Sequence, residues 1–387
     1  MNNVLSDSVV SDPLTPTPAL VIDFDQIVSA YNRFQHAMPE GLIYYAMKAN
    51  ANPEVVRVIV GAGSGLEIAS APELDLALRL GLSGERIICS NPIKSPAFIK
   101  RMHEAGVYAM VVDSTYETEK VAHHAPGSRV YVRLAVDNTG SVLPLAGKFG
   151  VDRDQALHLI DLARELGLRP IGLTFHVGSQ CLAPQNWVNA IKASSEIWRK
   201  THGRGHDLYF LDIGGGFPVG HHHTASIPTI ETIGALVNQA IEEHMPEAPA
   251  MLVLEPGRGL VGEAGLLVTE VIGKASRGTD TWLYLDAGVF NGLMETYEGF
   301  PPVVRVVGNA SNGHRPPNLV TLAGPTCDSC DVIARHVMLP EVHIGDRLVF
   351  LDAGAYTNEY ASNFNGFSIP ELIAVGHGAS IPQIELV

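Results

Sequence analysis

The sequence predicts an α/β fold: a TIM-like (β/α)8 barrel over residues 25–260, joined to a mainly antiparallel β domain made of 1–24 and 261–387. Three observations carry that prediction. Eight short β-rich runs (42–48, 65–70, 86–90, 109–113, 130–135, 171–179, 208–214 and 251–255) alternate with segments of helical apolar spacing, and connections of that length imply parallel strands. Nearly every run closes on a polar residue. In a barrel those C-terminal strand ends converge on one mouth, where the chemistry of such folds is carried out, so they favour the barrel over the competing doubly wound open sheet. Past Arg258 the alternation stops, and β-rich runs follow one another across Gly, Pro and Asn turns.

Taken in order, the chain opens with a polar, Pro-rich lead of about a dozen residues that reads as a mobile tail. Residues 19–24 (ALVIDF) read as a strand, assigned to the β domain. Next comes LIYYAMKAN, 42–50, whose apolar part is continuous instead of alternating, as expected of a strand buried on both faces. Segments such as 53–60 and 152–166 (DRDQALHLIDLAREL) carry the helical pattern between runs. Beyond 258, LLVTEVIG, TWLYLDAG, PVVRVVG, NLVTLAG, RLVFLDAG and ELIAVG read as the strands of the second domain.

With 26 basic and 41 acidic residues among 387, the net charge is −15, which argues against nucleic acid or an anionic membrane as partner. Any anionic ligand needs a local site. The start has no basic or apolar leader and the chain no run long enough to span a bilayer, so the expected location is the cytoplasm. Cys89, Cys181, Cys327 and Cys330 are too few for a disulfide framework.

The strand ends carry Lys48, Glu67 with Ser70, Asn91, Asp113, Arg133, His176 with Ser179, Gly214–Gly216, and Glu255 with Arg258. An ammonium at the end of a buried strand reaches solvent, meets a carboxylate, or has its pKa lowered and serves as a nucleophile. For Lys48 alone, snorkelling is the simplest reading. Gly214, Gly215 and Gly216 leave backbone N–H groups bare, suited to an oxyanion or phosphate, although a glycine turn is the commoner explanation. Arg258 adds a bidentate positive charge. Glu255 reads either as its ion-pair partner or as the group that keeps a pyridine nitrogen protonated, and an isolated His176 reads first as a core histidine. Together, a lysine, a phosphate nest, an imidazole and a carboxylate describe a pyridoxal 5′-phosphate site.

The ordered motifs YYAMKAN, HVGSQ, DIGGGFP, EPGR, GPTCDS and GAYT resemble the pyridoxal-phosphate decarboxylases with an alanine-racemase-like barrel, specifically the ornithine and lysine decarboxylases. The likeness runs from about residue 19 to 367, and six motifs in order at matching spacing make it highly specific. The resemblance implies that Lys48 is the residue that holds the cofactor covalently, His176 stacks on its face and Glu255 pairs with its ring nitrogen. Ser179, Gly214, Gly215, Gly216, Gly257, Arg258 and Tyr356 would cradle the phosphate, with Arg133 and Glu73 in support. Cys327 would return a proton to Cα and Asp328 would bind the distal amine of the substrate, both acting in the neighbouring subunit's site, so that a homodimer with shared active sites is implied. Tyr356 and Phe364 would line the substrate. Glu67 stands where many relatives have aspartate.

The substrate class follows the same resemblance. A distal ammonium needs an acceptor, which Asp328 supplies, whereas diaminopimelate decarboxylases carry a cysteine-glutamate pair and an Arg-Pro motif. The corresponding stretch here, 286–302, has no arginine. L-Ornithine, giving putrescine for polyamine synthesis, is therefore favoured, with L-lysine or a specialised biosynthetic amino acid as alternatives. Either Asp286 or Ala287 occupies a position tied to chain-length selection, where one methylene is worth only about 1–3 kcal/mol. An amino-acid racemase and a non-catalytic decarboxylase-binding regulator are the rival classes. His221–His222–His223 reads as a solvated loop, with no carboxylate or cysteine spaced to complete a metal site, and no metal is expected.

Overall fold

The computed structural model describes residues 4–220, 227–307 and 316–377; His221, His222 and His223 lie outside them. The chain divides into two compact units, one built on Ser29–Pro218 with Ile227–Gly259, the other on residues up to Val28 and from Leu260 onward.

The first unit is a closed barrel of eight parallel strands: β1 Gly41–Ala46, β2 Gly65–Ile68, β3 Ile87–Cys89, β4 Ala109–Val112, β5 Arg129–Leu134, β6 Arg169–Phe175, β7 Phe210–Asp212 and β8 Met251–Leu254. The last strand pairs with the first, Leu252 opposite Gly41, which closes the ring. Side chains fill its interior: Tyr44, Ile88, Ala109, Val111, Tyr131, Ile171, Phe210 and Val253 form one buried cluster. The barrel is a packed core with its chemistry at one end.

Helix starts after several strand ends are written locally. Asn52 accepts the Glu54 N–H at the head of Pro53–Gly61, and Ser95, Ser114, Asp152 and Thr229 cap Pro96–Glu104, Thr115–His124, Arg153–Glu165 and Ile230–His244 in the same way. Each such cap satisfies a backbone donor that the helix leaves open, worth about 1 kcal/mol.

The second unit is an eight-stranded sheet in which Gly265–Arg277 is the long central strand. Most pairings are antiparallel; the exceptions are Asp280–Leu285 with Pro317–Ala323, and Ala19–Asp23 with Glu371–Val375. Ala19–Asp23 also runs antiparallel to the start of Gly265–Arg277.

The lead departs from the expected mobile tail. Val4–Ser11 is a helix, and Val10 is buried with Val21, Val268 and Val349. The Arg347 guanidinium donates to the carbonyls of Asp12, Pro13 and Thr15, and Arg305 pairs with Asp7. The adjacent Val9 and Val10 give this polar segment an apolar patch to bury. Two further elements have no counterpart in the predicted runs: Val332–Pro340, whose alternation is blurred by Arg335 and His336, and a short pairing of Ser141–Leu143 with Ser179–Cys181.

Among the described residues no helix is long and apolar enough to cross a membrane. The four cysteines are free thiols, Cys89 and Cys181 buried and Cys327 exposed.

Candidate active site

The mouth of the barrel gathers polar groups from β1, β2, β3, β5, β6, β7 and β8. Lys48 sits in a single turn, Met47–Ala49, directly after β1. Its Nζ donates to Glu67 Oε2 at 3.0 Å, and the lysine side chain is 42% exposed where the glutamate is 1% exposed. The carboxylate is thus a fixed buried anchor and the ammonium faces the opening. Glu67 also accepts the Ser90 N–H. This gives Glu67 a definite place, as the carboxylate that meets the strand-end lysine.

Glu255, at the end of β8, is buried and takes a hydrogen bond from the Ser90 hydroxyl, whose oxygen is 2.7 Å from the Tyr131 hydroxyl. Burial pushes the Glu255 carboxyl well above the ordinary range, and the Asp212 and Glu67 charges push it the same way. Asp212 ends β7; burial pushes it up to about 6 against the pull of Thr174 and the Gly214 N–H. Tyr131 is raised by burial, then by Glu255 and Asp212, so it remains a phenol able to donate.

His176 follows β6. Its Nδ1 accepts the Gly178 N–H at 3.0 Å, which leaves the ring proton on Nε2. Burial, with Arg133 and Lys48 nearby, holds its pKa well below the usual value, so the ring is neutral. Beside it, Gly214 and Gly216 have φ of +66° and +95°, and a Cβ on Gly215 would stand 2.7 Å from the Glu255 carbonyl and 3.3 Å from His176 Nε2. Only glycines fit there. Phe217 anchors the loop, edge-on to Phe34 at 5.0 Å and stacked with Trp187 at 5.3 Å. Gly257 packs on the lysine's turn, where a Cβ would meet Ala49 at 2.9 Å, and Arg258 is buried next to it in sequence. Glu73 accepts the Ala69 N–H, and burial raises it to about 7.

These residues fit pyridoxal 5′-phosphate. The glycine loop offers bare backbone for a phosphate, His176 a flat neutral ring, and Lys48 an amine at the opening. Glu67, Asp212 and Glu255 form a buried group of carboxyls that a protonated ring nitrogen would complement.

Lys48, Arg133, His176, Gly214–Gly216 and Glu255 are thus brought together. Asn91 and Asp113 are not part of the group: Asn91 donates to the Ala69 carbonyl and Asp113 accepts the Gly150 N–H, so these strand ends shape loops. Ser179 opens the strand paired with Ser141–Leu143. Ser90, Tyr131 and Asp212 escaped sequence reasoning. The usable signal was the LDIGGG run, where a carboxylate precedes glycine in a stretch otherwise apolar.

The remaining predicted residues belong to the β unit. Cys327 N–H and Sγ both face Asn365 Oδ1, at 3.0 and 3.1 Å, and Asn365 holds φ +55°. Asp328 is exposed and lowered from the usual range by the Cys330 N–H and thiol, so it stands as an anion. The segment is set by Asp331, whose carboxylate accepts Val289 N–H, Thr326 N–H and Thr326 Oγ1. Tyr356, at φ +63°, stacks on Tyr360, and Phe364 packs against Phe290 at 4.8 Å. Asp286 accepts the Glu270 N–H and bonds the Thr17 hydroxyl, so its carboxylate holds the sheet together.

Comparison with known proteins agrees with this geometry. Residues 24–262 match the family profile described as the pyridoxal binding domain of pyridoxal-dependent decarboxylases. The chain is 35% identical to a lysine/ornithine decarboxylase of Selenomonas ruminantium over 361 residues, which cover 92% of this chain and 89% of that protein. It is similar to the crystal structure of a Vibrio vulnificus lysine/ornithine decarboxylase complexed with putrescine, with a TM-score of 0.85, 32% identity and 95% and 97% of the two chains covered. The arginine decarboxylase of Paramecium bursaria Chlorella virus, bound to agmatine, matches with a TM-score of 0.88 at 29% identity, covering 95% of this chain and all (100%) of that one.

Proposed function

Since the chain belongs to the pyridoxal-dependent decarboxylases, we propose that it removes the α-carboxylate of a basic L-amino acid, with L-ornithine as the preferred substrate, putrescine as the product and L-lysine as the next best substrate. When bound, pyridoxal phosphate supplies an electron sink for the carbon that loses CO2. The chain's own residues do the rest. Lys48 holds the cofactor, with Glu67 fixing the ammonium at the opening in its absence. Glu255 holds a proton at the ring nitrogen, neutral His176 covers the ring face, and Arg133 supports that wall. Gly214, Gly215, Gly216, Gly257, Arg258, Ser179 and Tyr356 hold the phosphate.

The observation that carries the substrate reading is Asp328, an exposed carboxylate kept anionic by Cys330 and adjacent to a free thiol. An anion of that kind accepts a distal ammonium, and Cys327 returns a proton to Cα. In this reading both act on the site of a partner subunit in a homodimer, and Tyr356 and Phe364 line the substrate. The segment 286–302 has no arginine to hold a second carboxylate. The test is CO2 release and amine formation from L-ornithine, L-lysine, L-arginine and meso-diaminopimelate. Fastest turnover of ornithine is expected; fastest turnover of lysine or arginine overturns ornithine as the preferred substrate, and fastest turnover of diaminopimelate overturns the assignment of Asp328.

A further inference from the structure

Asp212 closes β7 immediately ahead of the glycine loop and has no exposed surface. Its Oδ1 accepts the Gly214 N–H at 2.8 Å and its Oδ2 accepts the Thr174 hydroxyl at 2.7 Å. The buried carboxyl of Glu255 closes the neighbouring strand β8, which pairs with β7, and each of the two charges acts on the other group. Two neighbouring buried carboxyl groups disfavour ionisation of both, so one of them keeps a proton. The backbone repeats the connection, with Glu255 N–H donating to the Gly214 carbonyl at 2.9 Å.

We propose that Asp212 and Glu255 are a proton-sharing dyad, in which Asp212 is the positioning residue that fixes the charge state of Glu255 and ties it to the phosphate-binding glycines. In the empty site Glu255 carries the shared proton. With cofactor bound, the Glu255 O–H bond breaks as the ring N–H bond forms; the electron pair stays on the Glu255 oxygen, and no other reactant is needed. Asp212 then adds a second negative charge that keeps the proton on the ring.

Every element packed on the pair supports this assignment. Lys48, in the turn after β1, is a nearby cation, and Glu67 from β2 is a further anion that favours protonation of the dyad. Ser90 and the buried thiol of Cys89 come from β3, Tyr131 from β5 and Thr174 from β6, all neutral. β4 contributes Ala109 and Val111 to the buried interior. With burial and like charge acting together, both carboxyls are displaced upward, Asp212 to about 6.

The inference rests on the reading that Glu255 faces the cofactor ring, and the experiment separates the two. Apoprotein is loaded with pyridoxal phosphate labelled at the ring nitrogen, and NMR follows the protonation of that nitrogen against pH. Asp212→Asn, which keeps an acceptor for Gly214, is expected to move the midpoint down by about 1–3 pH units, the usual effect of losing a neighbouring opposite charge. An unchanged midpoint with weaker cofactor binding makes Asp212 a loop staple only and overturns the dyad. If Glu255→Gln also leaves the midpoint unchanged, the placement of Glu255 itself fails. Infrared spectra of the empty wild-type protein give a check that needs no Asp212 variant: a protonated carboxyl band, absent from Glu255→Gln, is expected at neutral pH, and its lack overturns the proposal.

Discussion

Lys48 and Glu67 meet at 3.0 Å, yet one side chain is 42% exposed and the other 1%. The lysine can therefore leave the pair for a cofactor without moving the buried carboxylate. Lys48→Ala should abolish the visible absorption of lysine-bound cofactor and all decarboxylation. A variant that kept the absorption band would remove Lys48 from its role.

The glycine loop makes a steric prediction. A Cβ on Gly216 would collide with the Gly178 carbonyl, at a φ of +95° that side chains rarely tolerate. Gly216→Ala should destabilise the empty protein by about 1–3 kcal/mol in urea unfolding and weaken cofactor binding as well. Wild-type stability together with unchanged cofactor affinity would contradict the cradle.

Glu73 sets a pH dependence. Its folded pKa, raised by burial to about 7, exceeds the unfolded value. The folded state thus binds that proton more tightly, and the contribution is complete below about pH 4 and lost as pH rises through 7. His176 acts at the other flank: its folded pKa is depressed, so its contribution is present above about pH 6.5 and lost as pH falls. Thermal unfolding of the empty protein between about pH 5 and 8 should show Glu73→Gln with a shallower decline between about pH 5 and 7. An identical slope would mean that Glu73 titrates normally.

The shared-site proposal predicts complementation. Lys48→Ala and Cys327→Ala proteins, each inactive, should regain up to about a quarter of wild-type activity when subunits exchange at equal ratio, since one site in four then has both residues. No recovery despite demonstrated exchange would place Cys327 outside the partner's site.

What the sequence showed, and what it hid, divides on physical lines. All eight barrel strands are visible as apolar runs because a strand buried on both faces must be apolar along its length, and Lys48, His176 and Glu255 stood out as polar interruptions of those runs. Asp212 interrupts a run too, but the three glycines after it carry a stronger turn signal. Ser90 and Tyr131 were hidden because a buried hydroxyl in a strand looks like ordinary strand composition, and only the fold shows that both reach Glu255. Asn365 was out of reach for a different reason: its bond to Cys327 spans 38 positions through an irregular loop with no periodicity to read. The helical lead was misjudged because its few valines acquire meaning only once Val21, Val268 and Val349 form a surface to receive them.

The ring of strands closes where Met251–Leu254 meets Gly41–Ala46, and the Ala46 N–H reaches the Pro256 carbonyl across that seam. On the ribosome, the strand that leads to Lys48 emerges early and must keep an unpaired edge until the strand that leads to Glu255 has been made. Until then the nascent chain carries two open edges, each a template for wrong pairing. The lysine and the acid that flank this seam thus follow the first and last strands of the barrel to be synthesised, so a chain that stops short of β8 lacks both the closed barrel and the acid of its site.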